Sequence, residues 1–481
     1  MSRRFLACVL SIVAAMLVAN VGQAATEQAK QAAIDAGLAY LAGSQITSGT
    51  YDGAWEYRRT YNSGPSYDGY LAATASAALA FIEEGYTPGD GSIYDTHVTK
   101  AVNYIFDKAK VDPYYNNYGR ETAGYTRYAE DYNNDGVVNS LDVGRNNQAI
   151  YFDPYNSKRD IYTNGLVVPV IYALGQALGK DTVVGTGSAT VSGMTYKEVL
   201  RDVVDWYSYG QVEPGVVYGG YAQRGGWRYT PNYNSSDNST AQWGALALLY
   251  GEEWGLNAPD YVKNELTLWV NLIQNDNTPS DWRDGGSGYS NPDQYVNDAK
   301  TGGLLLQLAA IGADVNDPRV QAALGFLDGR WNDPAHYSHD EWFHGNLDNP
   351  YAMWAIYKGL EEFDVTTMSN APGGFIVGQD WDSHTSAAGD WYAHYCDWLV
   401  NDQNSDGSWD GFESPEHNNR AYYWNGALAD GWYINILNAT GLPEPVVPEP
   451  STFVIWSLLG AGGIGFMSLR RRRSKLGRPP S

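Results

Sequence analysis

The sequence predicts an all-α body, an (α/α)6 toroid of about twelve helices arranged as an inner and an outer ring around a central cavity. Three observations predict it. A pattern of amphipathic helix, Gly/Asp/Trp-rich turn and Ala/Leu-rich helix ending at glycine recurs along the chain. Recurrence of a unit that cannot bury its own apolar face marks a stacked architecture. The second helix of each unit carries small residues at close spacing, as in Ala72-Ala73-Thr74-Ala75 and Gly302-Gly303, which suits a helix surrounded by neighbours, whereas the first helices are more amphipathic, as an outer layer requires.

Taken in order, residues 1–24 read as a secretory signal peptide. Arg3 and Arg4 precede an apolar run from Phe5 to about Val21, and small residues allow cleavage after Ala24. The toroid is expected over residues 25–442. Unit one pairs Gln31–Gln45 with Tyr70–Gly85 across Asp52-Gly53-Ala54-Trp55. Unit two opens with Val98–Lys110 and, after an insertion at 111–160, resumes at Asn164–Gly179. Unit three joins Tyr196–Gln211 to Thr240–Gly255 through Gly225-Gly226-Trp227, and unit four joins Tyr261–Gln274 to Ala299–Gly312 through Asp284-Gly285-Gly286. Unit five runs Val320–Gly329 and then Ala352–Phe363. Unit six runs Trp391–Gln403, Asp406-Gly407-Ser408-Trp409 and then Ala421–Gly441. A Pro-rich linker, 443–452, leads into an apolar segment with an arginine cluster, 453–473, that predicts a membrane helix at the short limit for a span. Arg470 to Arg473 mark its cytoplasmic side, so the body lies outside.

Composition narrows the partners. Between Ala25 and Val447 about 23 basic residues face about 54 acidic ones, a net charge near −31. Such a surface repels phosphate backbones, which excludes nucleic acid and disfavours diphosphates. It suits divalent cations and neutral glycans. Cys396 is the single cysteine left after loss of Cys8, so no intramolecular disulfide forms in the mature body. Tyr (38) and Trp (17) far outnumber Phe (11), which suits wet aromatic surfaces as well as a stacked helical core.

Gln403-Asn404-Ser405-Asp406-Gly407-Ser408-Trp409 fits Gln-x-x-x-Gly-x-Trp, and Gln45 through Gly53 and Trp55 is a longer-looped version. On these motifs the repeats resemble those of the squalene-cyclase and protein-prenyltransferase superfamily, over nearly the whole of Ala25–Thr440; unit five lacks the motif. The motif speaks for fold, since Gln bonds backbone at a helix end, Gly turns the chain and Trp covers the joint. Pro448-Glu449-Pro450, the apolar helix and the arginines resemble a PEP-CTERM sorting signal. That resemblance implies an exosortase-type partner cutting near Pro-Glu-Pro and delivery to the cell surface or extracellular matrix.

Within the insertion, residues 131–142 place Asp131, Asn133, Asp135, Val137 (through its carbonyl), Asn139 and Asp142 at the ligand positions of an EF-hand loop, with Gly136 at the turn. Asp at the last position resembles a dockerin loop, and calcium is the expected cofactor, in a structural role. A second match, from Asp402 to Glu413, overlaps the Gln-Gly-Trp motif and is read as coincidence.

Catalytic signatures are weak. The Asp-x-Asp-Asp acid of class II cyclases has only Ser236-Asp237-Asn238 as a counterpart, and Asp237 before Asn-Ser-Thr is an N-cap pattern. Cys396 and His394 point off different helix faces, so the zinc site of prenyltransferases is not evident. The Cys-Gly-Glu-Gln thioester sequence is absent. His336, His339 and His344, with Asp340 and Glu341, precede the inner helix of unit five without zincin spacing. Arg420 with Tyr422 or Tyr423 could neutralise and deprotonate a uronic-acid sugar. The remaining candidates for chemistry are therefore Asp237, His339, His344, Arg420 and Tyr423. The favoured reading is an exported, non-catalytic protein that binds a glycan or apolar ligand. A polysaccharide lyase is the alternative, and a terpenoid-type cyclase is disfavoured by the missing acid motif.

Overall fold

The computed structural model describes residues 25–57, 69–112, 149–153, 160–276, 281–331, 346–371, 389–414 and 420–438. The leader 1–24, the loop 131–142, the linker 443–452, the segment 453–473, and His336, His339 and His344 lie outside the described residues.

Twelve α-helices are found among the described residues. The outer helices are α1 (Glu27–Ser44), α3 (Asp95–Asp107), α5 (Tyr196–Gly210), α7 (Asp260–Ile273), α9 (Pro318–Arg330) and α11 (Trp391–Asp402). The inner helices are α2 (Gly69–Glu83), α4 (Asp160–Leu178), α6 (Asn238–Glu253), α8 (Asp298–Ala310), α10 (Pro350–Glu362) and α12 (Ala427–Leu437). Each inner helix packs against the next, and α12 packs back on α2, so the inner ring is closed. The toroid is thus read directly from helix contacts. Burial follows the layers: α2 is buried without interruption from Ala73 to Ile82, whereas α1 buries only the stripe Ala33, Ile34, Gly37, Leu38 and Leu41.

The turn motif is a clamp. At the end of α5 the Gln211 side chain donates to Gly225 O (2.7 Å) and to Val262 O of α7 (3.0 Å), while Trp227 Nε1 donates back to Tyr207 O (2.8 Å). Gln45 ties α1 to α3 through Gly53 O and His97 O, and Gln274 ties α7 to α9 through Gly285 O and Arg319 O. Gln403 closes α11 onto α1 through Gly407 O (3.0 Å) and Ala33 O (2.8 Å). Gly225 (φ 88°) and Gly407 (φ 92°) sit where a Cβ would collide with the Glu265 or Ala36 carbonyl of the next outer helix. Glycine is therefore required by conformation and by close approach together.

Three two-stranded antiparallel ribbons are found among the described residues: β1 (Ala109–Val111) with β2 (Ile150–Phe152), β3 (Val217–Tyr218) with β4 (Tyr221–Ala222), and β5 (Phe412–Ser414) with β6 (Arg420–Tyr423). The first pairs Ala109 with Phe152 and so joins the two stems of the insertion. The last corrects the expected start of the unit-six inner helix. Ala421 to Tyr423 are strand, not helix, because consecutive tyrosines favour an extended ribbon. Trp424 (φ 49°) and Gly426 (φ 57°) then turn the chain before α12 begins at Ala427.

Candidate functional site

The N-termini of the inner helices and the loops that feed them form one face of the ring. The polar centre of this face is Asp237, fully buried at the start of α6. Its Oδ1 accepts from Thr240 N (2.9 Å), Thr240 Oγ1 (2.8 Å) and Ser239 Oγ (2.6 Å), the work of an N-cap. Its Oδ2 faces Arg228 Nε at 3.2 Å. Burial pushes the Asp237 carboxyl above its ordinary value, while Ser239, Arg228 and Thr240 pull it down.

Arg228 stands inside a cage of tyrosines. Its guanidinium carbon lies 5.1 Å from the ring centre of Tyr229, 5.5 Å from Tyr289, and 5.9 Å from both Tyr218 and Tyr233. Arg228 Nη1 also donates to Ser235 Oγ at 2.9 Å. Tyr229 and Tyr289 meet hydroxyl to hydroxyl at 3.2 Å, and Tyr162 of α4 stacks near Tyr229 with ring centres 6.2 Å apart. Tyr351, at the start of α10, donates to Ser239 O (2.6 Å) and stacks flat on Trp424 at 4.7 Å. The surface of the group is aromatic: Tyr218 is 51% exposed and Tyr295, in edge contact with Tyr289, is 41% exposed.

Backbone strain gathers on the same face. Tyr229 (φ 47°), Asn232 (φ 51°), Tyr295 (φ 52°), Asp348 (φ 60°) and Trp424 (φ 49°) all occupy the left-handed region. Bulky aromatics there are genuine outliers, costing on the order of 1 kcal/mol each. Strain of this kind persists only where surrounding structure holds it, and it clusters at ligand clamps and active sites.

Behind this face the ring axis is filled. Trp243 of α6 stacks on Trp354 of α10 (5.2 Å) and lies 6.3 Å from Trp432 of α12, on the opposite side of the ring. All three are at most 2% exposed. Trp243 seats against Gly165 of α4, where a Cβ would strike its side chain. The tryptophans therefore bridge the ring interior rather than line a hollow.

Beyond the tryptophans lie the C-terminal ends of the inner helices, where a second polar group collects. Lys358 of α10 is fully buried, with Glu361 Oε2 at 3.8 Å. Burial pushes its amine down, and the charges of Glu361, Glu83 and Glu362 pull it up. Glu362 is raised to about 7, by burial first and then by the charges of Glu253 and Glu252. Glu83 is raised by burial and lowered by Lys358. Carboxylates at helix C-termini also face an unfavourable helix dipole, so this end relies on its lysine.

Of the residues singled out from sequence, the structure brings Asp237 into the polar centre as a cap. Arg420 and Tyr423 lie on the backbone of β6, and their side chains are outside the described residues, as are His339 and His344. The proposed calcium ligands Asp131, Asn133, Asp135, Val137, Asn139 and Asp142 are also outside. Cys396 and His394 are both buried on α11, and His394 Nδ1 accepts from Trp331 Nε1 at 3.0 Å, an engagement that opposes metal binding at that nitrogen. Among the described residues no three His, Cys, Asp or Glu side chains are grouped to hold a metal. Sequence reasoning missed Arg228, Tyr289 and Lys358. The signal for the cage was the density of tyrosine from Tyr218 to Tyr233, on both sides of the Gly225-Gly226 turn.

Comparison with known proteins matches residues 446–473 to the PEP-CTERM protein-sorting motif. The C-terminus is thus an export and cell-surface sorting signal. No curated protein matches the chain. Among solved structures, the apo type II terpene cyclase MstE from Scytonema is 12% identical, with 86% of this chain and 98% of that one covered and a TM-score of 0.42. A single-residue variant of the same enzyme, in complex with its substrate geranylgeranyl dihydroxybenzoate, is 11% identical over 86% of this chain and 97% of that one, with a TM-score of 0.40. At these values the likeness carries no argument about activity.

Proposed function

We propose that the protein is a non-catalytic envelope or matrix protein that holds a neutral glycan against the tyrosine-rich face around Arg228. The observation that supports this reading is the aromatic cage of Tyr218, Tyr229, Tyr233 and Tyr289 around Arg228, with Tyr229 held in a strained conformation and Tyr218 exposed. Tyrosine faces pack on sugar C–H surfaces and their hydroxyls reach ring oxygens, a pairing of apolar body and polar tip. The Arg228 charge is already opposed by Asp237, and the body is strongly acidic, so a neutral sugar fits better than a polyanion. Asp237 caps a helix with one oxygen and meets a guanidinium with the other, which leaves it poorly placed to deliver a proton to a ligand. In the same reading the loop 131–142 binds calcium and orders the insertion. The segment 453–473 holds the chain in the membrane until an exosortase-type enzyme acts on it.

The test is calorimetric titration of residues Ala25 to Val447 with neutral glycans and polyuronates, beside Tyr218→Ala and Tyr289→Ala. Binding of a neutral glycan without product, weakened at least about tenfold by either change, supports the reading. Undiminished binding in both variants moves the ligand elsewhere. Unsaturated product from a polyuronate replaces the binder with a lyase.

A further inference from the structure

The first described residue lies on the last outer helix. Ala25, one residue before the Thr26 cap of α1, donates its backbone nitrogen to Oδ1 of Asp397 on α11. Asp397 is only 2% exposed, and Ala25 is itself half-buried and packed on the core. The contact spans 372 residues of sequence and lies at the seam where the beginning of the ring meets its end. Other ties cross the same seam: Gln403 Nε2 donates to Ala33 O at 2.8 Å, and Lys30 Nζ sits 5.3 Å from the Tyr392 ring centre. These ties are the closing bonds of the outer ring, since no covalent connection joins α11 to α1.

The sequence independently places leader cleavage between Ala24 and Ala25. Cleavage adds water across that peptide bond. The water oxygen goes to the Ala24 carbonyl, leaving a carboxylate on the departing leader, and the Ala25 nitrogen takes up protons and becomes an α-ammonium. The nitrogen that acquires this charge is the one that already meets the buried carboxylate. A neutral amide gives Asp397 one hydrogen bond and leaves its charge uncompensated by that partner. An ammonium gives the same bond with a full opposite charge, and charge-assisted bonds are roughly twice as strong as neutral ones. A carboxylate withdrawn from water gains most from such a partner.

We infer that Asp397 is a receptor site for the processed N-terminus: removal of the leader creates the Ala25 ammonium, and its ion pair with Asp397 locks the ring closed. The precursor, whose residue 25 is an internal amide, has the weaker seam. The closed ring is thereby completed by the same event that completes export.

The experiment begins with the exported full chain, kept in mild detergent. Mass spectrometry of its N-terminus reads Ala25, and a start at any other residue overturns the inference. Thermal melting then compares that chain with one carrying a Gly-Ser extension ahead of Ala25, each with and without Asp397→Asn. The extension lowers the melting temperature by a few degrees in the Asp397 background and leaves it unchanged in the asparagine background. Equal melting of free and extended chains with Asp397 intact overturns the inference. If Asp397→Asn does not fold, reductive methylation of the native chain decides the matter. The Ala25 amine reacts at least tenfold more slowly than in urea-unfolded chain, and equal rates overturn the inference.

Discussion

Replacing Asp430 with asparagine removes a titrating group from the ring interior and changes how stability depends on pH. Asp430 is fully buried on α12; its Oδ1 accepts from Trp409 N at 2.9 Å, and its Oδ2 has no hydrogen-bond partner among the described residues. Burial pushes the carboxyl up to about 8; the charges of Asp406 and Asp410 add to this, and the Trp409 N–H opposes it. The other repeats show what the position needs. Trp55 N donates to Thr74 Oγ1 (3.1 Å) and Ser287 N to Thr301 Oγ1 (3.0 Å), so a neutral acceptor serves the same turn on α2 and α8. In the unfolded chain an aspartate titrates near pH 3.9. Between that value and about 8 the folded protein holds a proton that the unfolded chain has released. Stability is therefore favoured below pH 4 and falls as pH rises, by about 1.4 kcal/mol per unit and about 6 kcal/mol in all. Unfolding entropy of about 2.1 cal/mol/K per residue over ~400 residues converts this to a fall of roughly 7 °C.

The assay is melting temperature against pH from 4 to 8 for the wild type, Asp430→Asn and Asp430→Thr. Neither substitution titrates at the site, so both flatten the profile and overtake the wild type as pH rises. Glu362, raised to about 7, titrates in the same window but is common to all three proteins and cancels in the difference. Parallel profiles would refute the reasoning, because they would mean that Asp430 is charged throughout.

Gln211→Ala removes two buried hydrogen bonds and leaves the Gly225 and Val262 carbonyls without their donor, a loss of about 2–4 kcal/mol by urea unfolding. Gln403→Ala, at a partly exposed joint, loses about half as much. The Cys396 thiol is pushed up to about 12, chiefly by burial, so a thiol-specific reagent at pH 8 labels it only after denaturant is added. Calcium removal by a chelator lowers the melting temperature by a few degrees, and Asp131→Ala abolishes that response.

The ring was legible in the sequence because each clamp is spelled by residues close together in the chain. Gln403, Gly407 and Trp409 are neighbours, and the carbonyls they engage follow from the helix positions. The tyrosine cage was not legible, since Arg228 meets Tyr289 only once α6 and α8 stand side by side. The tryptophan plug was hidden for a related reason: Trp243, Trp354 and Trp432 recur at the fifth or sixth position of their helices, but the direction they face is set by closure of the whole ring. The β6 ribbon was misread because Ala421 to Tyr423 run almost directly into the apolar stretch of α12, and their pairing with Phe412 to Ser414 is not visible in the local sequence.

Among the described residues two joints of the outer ring, α3–α5 and α9–α11, lack a glutamine clamp. The clamp needs the outer helix end and the glycine turn within one side chain's reach. In units two and five the position just after the outer helix, which is glutamine in the other four units, is instead Lys108 and Trp331. At both joints a tryptophan indole takes over the link to the next outer helix: Trp206 Nε1 of α5 donates to Asp112 Oδ2 beside β1 (2.9 Å), and Trp331 Nε1 beyond α9 donates to His394 Nδ1 of α11 (3.0 Å). These joints are three positions apart in a ring of six, so the clamped joints fall into two runs, α11–α1–α3 and α5–α7–α9. The toroid links these two opposed joints through indole hydrogen bonds and keeps each half continuously stitched by glutamine clamps.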